Sequence, residues 1–386
     1  MRTVIFSTAH PLDDVRVYSK FARSFAALSE RLTWIGPAKA YFSGDSFRDP
    51  SFKYSVFRSR PGRLGRLLGI PRSAVRLARH RGADWLYCPD PDAAAIAVLL
   101  KPFHRASIIF DIHEEFHTGL LDRWLGTARR EVAGRIFVRA LRSVVARCDI
   151  VIGVNDVVIE PYRSRAKAAI VISNSAPDWF SDSYTPISSV SQEFRFFHGK
   201  SSSSNGTEQV LRSLPNLPIE AKVLMIPSSS NPDDPPYMAN FESLVNSLGV
   251  RDNLLLNSSV PHRDVPALMD TCAVGMIAYG RDLGKASLPN RLFEYMARGR
   301  AVMVPVYSPL IRDIVDRFGI GISCDFESPE SIAQGIRWFL DNPQEAISMG
   351  NRARKAFLEH FSWSSEFSQL KGLISERSPD SWNDCR

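Results

Sequence analysis

The feature that most constrains this chain is a strand–helix rhythm that runs through the first half, stops, and starts again. "TVIFSTA" (3–9) is apolar and β-branched, and "VYSKFARSFAALS" (17–29) then shows helical spacing. "RLTWIG" (31–36) and "DWLYCPD" (84–90) read as strands, followed by helical "AAAIAVLLK" (93–101) and the strand "SIIFDIH" (107–113). After a long basic helix come "DIVIGVN" (149–155) and "AIVISNS" (169–175). Such alternation predicts a parallel, doubly wound sheet. Residues 176–192, "APDWFSDSYTPISSVSQ", lack periodicity and have linker composition. The rhythm resumes with "FRFFHG" (194–199), "KVLMIPS" (222–228), "NLLLNSS" (253–259), "VGMIAY" (274–279), "AVMVPV" (301–306) and "IGISCD" (320–325).

At 386 residues the chain is too long for one core. The expected fold class is α/β, with two Rossmann-like doubly wound domains facing a cleft. The expected boundaries are 1–178 for the first domain, 179–192 for a linker and 193–360 for the second domain. Residues 361–386 then form a C-terminal helix and tail that packs back on the first domain. In such sheets ligands bind at the carboxyl ends of the strands.

No apolar run reaches the roughly 18 residues of a membrane span. The opening "MRTVIFSTAHPLDD" turns polar too soon for a secretory segment. Cys88, Cys148, Cys272, Cys324 and Cys385 show no metal or redox spacing, so a reducing, cytoplasmic setting is expected. The net charge of +7 is unevenly spread, because Arg58–Arg81 carries many arginines and no acid. A second basic stretch, Arg123–Arg147, is helical in pattern. A solvated face accounts for such segments, and an anionic membrane surface is the alternative. Leu64, Leu67, Leu68 and Ile70 without interleaved aromatics favour lipid over nucleic acid.

"SLPNRLFEYMARGRAVMVP" (287–305) reads as a loop, a short helix and a strand. Ser287 is the expected N-cap, Pro289 fits the first turn and Gly299 the stop. Free N–H groups over Ser287, Leu288, Pro289 and Asn290 would form a phosphate seat, although proline itself supplies none. Glu294 would lie about 8 Å further along the axis, a distance suited to the ribose of a nucleoside diphosphate. The competing expectation is an ion pair of Glu294 with Arg298 or Arg291.

These residues resemble the nucleotide-binding segment of retaining GT-B glycosyltransferases of the family 4 type, with its S-x-P-x-K-x-x-E pattern. Ser287, Pro289, Arg291 in place of Lys, Glu294, Ala297 and Gly299 match in order. "VPHRDVPALMDTCAVGMIAY" (260–279), "FFHGK" (196–200), "VISNSAPDWF" (171–180) and "HPLDDVRVYSKFARSFA" resemble further family segments, so the likeness covers most of the chain. It implies a metal-independent hexosyltransferase with no cofactor, using a UDP- or GDP-sugar as substrate. Glu294 would bind the donor ribose. Gly199 and Lys200 would meet the diphosphate, with Arg281 and Lys285 supplying further charge. Two departures stand out: the family's earlier glutamate is Ala286 here, and its second basic residue is Asn205.

In the first domain His113 ends a strand, where an imidazole can donate to a sugar hydroxyl or a leaving phosphate. The resemblance gives it a donor-sugar role, and a structural histidine is the alternative. Asp13 and Asp14 are candidates for orienting an acceptor hydroxyl, or else cap the next helix. His10 and Arg16 fall on the acceptor side of the same loop. Glu114 and Glu115 are adjacent and point apart. Asp90-Pro91-Asp92 is read as a strand exit and helix cap rather than a metal site. The expected function is sugar transfer to an acceptor hydroxyl with retention, in bacterial polysaccharide or glycolipid assembly. The expected partners are a nucleotide-sugar, a glycan or lipid-linked acceptor and no nucleic acid. A GT-B epimerase or phosphorylase, and a non-catalytic GT-B binding protein, remain as alternatives.

Overall fold

A computed structural model describes residues 1–10, 14–38, 51–58, 63–113, 127–187, 194–201, 205–227, 236–258, 260–281 and 287–377. Two compact units emerge: Met1–Ser173 together with the chain from Glu366 onward, and Asn174–Ser365.

The first unit is built on seven parallel strands, β1 (Arg2–Phe6), β2 (Arg31–Ala38), β3 (Phe52–Arg58), β4 (Trp85–Cys88), β5 (Ser107–Ile112), β6 (Ile150–Gly153) and β7 (Ala169–Val171). Their order is β3-β2-β1-β4-β5-β6-β7, so the winding reverses between β1 and β4. Parallel strands buried on both faces need continuous apolar sequence, and Ile108, Ile109 and Phe110 of β5 are all fully buried. β3 has no counterpart among the strands expected from sequence. It lies at the sheet edge, where the half-polar "FKYSVFR" is tolerated. The last helix, Trp363–Arg377, joins this unit from Glu366 on. Phe367 packs against Phe21 and Phe25, and Ser173 donates from both its N–H and its hydroxyl to Glu366.

The second unit has six parallel strands: β8 (Arg195–Ser201), β9 (Lys222–Pro227), β10 (Leu254–Leu256), β11 (Val274–Met276), β12 (Ala301–Pro305) and β13 (Gly321–Cys324). The order β10-β9-β8-β11-β12-β13 again reverses once, between β8 and β11. Alternation along the strands feeds two cores: Phe196, Ala301 and Met303 go to one face, and Phe197, Val302 and Val304 to the other.

The helix carrying Glu294 spans Asn290–Ala297 and starts later than the sequence implies. Pro289, not Ser287, holds the N-cap position, with no side-chain cap bond. Proline is extended there (φ −76°, ψ 146°), and the residue before a proline is steered away from helix, so Leu288 cannot begin it. Glu294 is therefore four residues in, about 6 Å along the axis. Gly299, at φ +58°, ends the helix as expected. Among the described residues no helix is long and apolar enough to cross a membrane.

Candidate functional site

In the second unit, Tyr295 fixes the helix Asn290–Ala297 to the sheet. Its hydroxyl donates to the carbonyls of Phe197 on β8 (3.0 Å) and Met276 on β11 (3.2 Å), the pair where the winding reverses. The ring lies where a side chain on residue 275 would be: a Cβ there would sit 2.4 Å from it, so only Gly275 fits. Arg291 adds a bond from Nη1 to the His198 carbonyl at 3.0 Å. The helix is thereby held against β8 at Phe197 and His198 and against the carboxyl end of β11 at Met276.

Glu294 is 9% exposed and pairs with neither neighbouring arginine. Its Oε1 meets His262 Nε2 at 2.8 Å. Arg298 instead reaches Asp270, with Nε to Oδ1 at 2.9 Å, and the Phe180 carbonyl at 2.9 Å. Arg300 joins Asp270 at 2.8 Å. The competing expectation of an ion pair within the helix is not met, and both groups take partners from outside it. His262 was not singled out in the sequence. It stands in the short turn His262–Asp264, packed against Trp179 and Phe180.

Around this carboxylate, Ser287 and Leu288 are half-buried and Pro289 is buried. The Leu288 carbonyl accepts from Asn174 Nδ2 at 3.4 Å. Among the described residues Asn290 Oδ1 is buried without a partner at the helix start. Gly199 (φ +73°) follows a register shift in β8, and Lys200 is in the same strand end, with its side chain outside the described residues. Gly206 (φ +63°) lets the next turn approach β11's exit; a Cβ would lie 2.3 Å from the Ala278 carbonyl oxygen. His198 is fully buried, bonded to Thr207 Oγ1 at 3.0 Å, and burial followed by the Arg291 charge lowers its pKa to about 3. Arg281 is already matched, by Glu327 through Nε at 2.8 Å and Asp325 through Nη2 at 2.9 Å. Lys285 and Ala286 lie outside the described residues.

In the first unit, titratable groups gather at the exits of β1, β4 and β5. His10 Nδ1 is 3.2 Å from Asp14 Oδ2, and its Nε2 is 3.5 Å from Asp90 Oδ1. Burial opposes protonation of His10, but the Asp14 bond and the charges of Asp90, Asp14 and Asp111 outweigh it and raise its pKa. Asp14 falls to about 2: burial works against this, and His10 and the Val17 N–H prevail. Asp14 Oδ1 accepts from that N–H at 2.8 Å, so the residue is both helix cap and histidine partner. Asp90 occupies the cap position of the helix Pro91–Leu99, yet its carboxylate turns to β1's exit, accepting from Ser7 Oγ (2.7 Å) and Thr8 N (2.9 Å).

His113 packs edge-on to His10 at 4.9 Å, with Nδ1 3.8 Å from Asp111 Oδ2. Its pKa is lowered by burial against the Asp111 pull, with help from His10 and Arg16. At 3.8 Å Nδ1 makes no hydrogen bond to Asp111, and among the described residues it is buried without a partner. Arg16 points inward, 6% exposed, and clamps Asp111 through Nε and Nη2, both at 2.8 Å. It also donates to the carbonyls of Ser173 and Ile172, both at 3.0 Å, and Tyr87 donates to Asp111 at 2.6 Å. Asp13, Glu114 and Glu115 lie outside the described residues. Among the described residues no group of three or more His, Cys, Asp or Glu is placed to hold a metal.

No curated protein sequence matches this chain closely enough to count as a relative. Residues 190–356 match the family model described as glycosyl transferases group 1. Similar solved structures include Anabaena HepE in complex with UDP (TM-score 0.74, 14% identity, 97% of this chain and 100% of that one). Sucrose-phosphate synthase from Thermosynechococcus elongatus aligns with a TM-score of 0.75 at 13% identity, over 97% of this chain and 99% of that one. WaaG, a glycosyltransferase involved in lipopolysaccharide biosynthesis, aligns with a TM-score of 0.67 at 14% identity, over 98% of this chain and 100% of that one. Residues 190–356 thus match the glycosyl transferases group 1 model, and the two parallel α/β units share the GT-B fold of these structures.

Proposed function

We propose that the protein transfers a sugar from a nucleotide-sugar to an acceptor hydroxyl with retention of configuration. The observation that carries this reading is Glu294, a nearly buried carboxylate oriented by His262 and held beside a helix start at the β8/β11 reversal. A carboxylate in that place accepts from the hydroxyls of a ribose. The backbone N–H groups of Asn290 and Arg291 at the helix start are assigned to the diphosphate, and the family resemblance adds Lys200 to it. Preorganised donors at the leaving group stabilise the charge that develops as the glycosidic bond breaks. The leaving phosphate oxygen then accepts the acceptor's proton on the same face. The family resemblance gives His113 of the first unit a donor-sugar role. Retention without a metal rests on the family resemblance.

The HepE complexes with UDP and with UDP-glucose support a uridine donor. The kinship with WaaG supports an acceptor in polysaccharide or glycolipid assembly. A contact with anionic membrane is supported by a groove of about 650 Å³ at the β3 edge, lined by Tyr54, Val75, Arg72, Arg76, Arg79 and His80. Among the described residues these three arginines have no carboxylate partner. The test of the function is a thermal-shift panel of UDP-, GDP- and TDP-sugars, followed by nucleotide release with glycan acceptors. A ligand at 100 times its Kd stabilises by about 2.7 kcal/mol. If no nucleotide-sugar shifts the melting point and no nucleotide is released, the proposal fails.

A further inference from the structure

We infer that His262 is a positioning residue for ribose recognition, acting through Glu294. The inference rests on the donor-site reading above and adds a residue that the family pattern leaves unspecified. His262 Nε2 holds Glu294 Oε1 at 2.8 Å, while among the described residues Oε2 has no partner, and it is not sealed from solvent. One oxygen is thus anchored and the other presented to a ligand. The anchor is rigid at both ends. The imidazole is packed against Trp179 (5.5 Å) and Phe180 (5.4 Å). Eight residues after His262 the helix Val265–Asp270 ends at Asp270, which binds Arg298 and Arg300 just beyond the Glu294 helix. The two segments are therefore tied twice, by His262–Glu294 and by Asp270–Arg298. The second tie fixes the register of the first. A carboxylate held in this way loses little side-chain freedom when a diol binds.

The test is calorimetry with two probes, UDP and 2′,3′-dideoxy-UDP, on the full chain and two variants. His262→Phe keeps the ring packing but removes the N–H donor, while His262→Gln keeps a donor. UDP affinity is expected to fall about tenfold in H262F, the scale of one hydrogen bond to a charged group. The dideoxy nucleotide, which lacks the diol, should bind H262F and the parent equally, and H262Q should recover most of the UDP affinity. Equal losses for both probes, or no loss for UDP, would overturn the positioning role. If the unaltered protein binds UDP no better than the dideoxy form, the ribose assignment of Glu294 fails first. Thermal melts of both variants confirm that the compared molecules are folded.

Discussion

Glu294→Gln isolates charge from shape at the donor site. The carboxylate is 9% exposed and accepts one bond, from His262 at 2.8 Å. In the variant the amide oxygen can keep that bond. The amide nitrogen then replaces Oε2 and offers a donor where the ribose hydroxyl needs an acceptor. A hydrogen bond to a charged group contributes about 1.5–3 kcal/mol, so UDP affinity should fall roughly 10- to 150-fold. Fold stability should change by less than about 1.5 kcal/mol, because shape and one bond survive. Isothermal titration with UDP at constant salt reads the affinity, and a circular-dichroism melt reads the fold. Inorganic pyrophosphate is the control: it lacks ribose and should bind both proteins alike. An unchanged Kd for UDP would refute the reasoning. So would a variant that unfolds while each folded molecule binds UDP normally, since Glu294 would then be a structural partner of His262 alone.

Asp270→Asn should destabilise the second unit by about 3–5 kcal/mol, because it strands two guanidinium groups at 2% and 1% exposure; a melting point within 2 °C of the parent (our threshold, about 1 kcal/mol) would show that the loop carbonyls suffice. In the first unit, stability from Asp14, whose pKa is depressed to about 2, is present above pH 4 and lost as pH falls through 2. Stability from His10, whose pKa is raised, is present below pH 6.5 and lost as pH rises through its folded value. Asp14→Asn keeps a capping side chain and should flatten both limbs in urea melts across pH 2–8; unchanged limbs would refute the pairing. Charge reversal of Arg72, Arg76 and Arg79 to Glu should abolish salt-sensitive sedimentation with anionic liposomes, and absence of sedimentation by the parent would remove the membrane proposal.

Most strands were legible because buried parallel strands must be apolar and β-branched, as in "SIIFDIH" and "AVMVPV". β3 was not, since an edge strand can carry Lys53 and Tyr54 without breaking its face. The partners of charged groups were harder to see. Arg298 follows Glu294 by one turn, yet Asp270, 28 residues earlier, claims it. His262, 32 residues before Glu294, sits between a proline and an arginine with no periodic signal. Arg16 and Asp111 were separable only by their setting. An aspartate between Phe110 and Ile112 in a buried strand demands a cation, a signal the sequence reading, which set Arg16 on the acceptor side, did not use. Which cation, 95 residues away, required the fold.

Each sheet reverses its winding once, and in each the candidate site residues gather at that reversal. The physical cause is that connections leave adjacent strands on opposite faces there, opening a crevice at the carboxyl ends. In the first unit His10, after β1, reaches Asp90, after β4. In the second, Tyr295 spans β8 and β11. That second tie also sets the rotation of the helix. Successive residues turn by about 100°, so a tyrosine driven into the crevice root leaves the preceding residue on its flank. Glu294 occupies that flank, and only Gly275 leaves room for the ring that puts it there. The placement of the proposed ribose acceptor therefore follows from a glycine in a strand and a tyrosine hydroxyl, neither of which needs to touch the ligand.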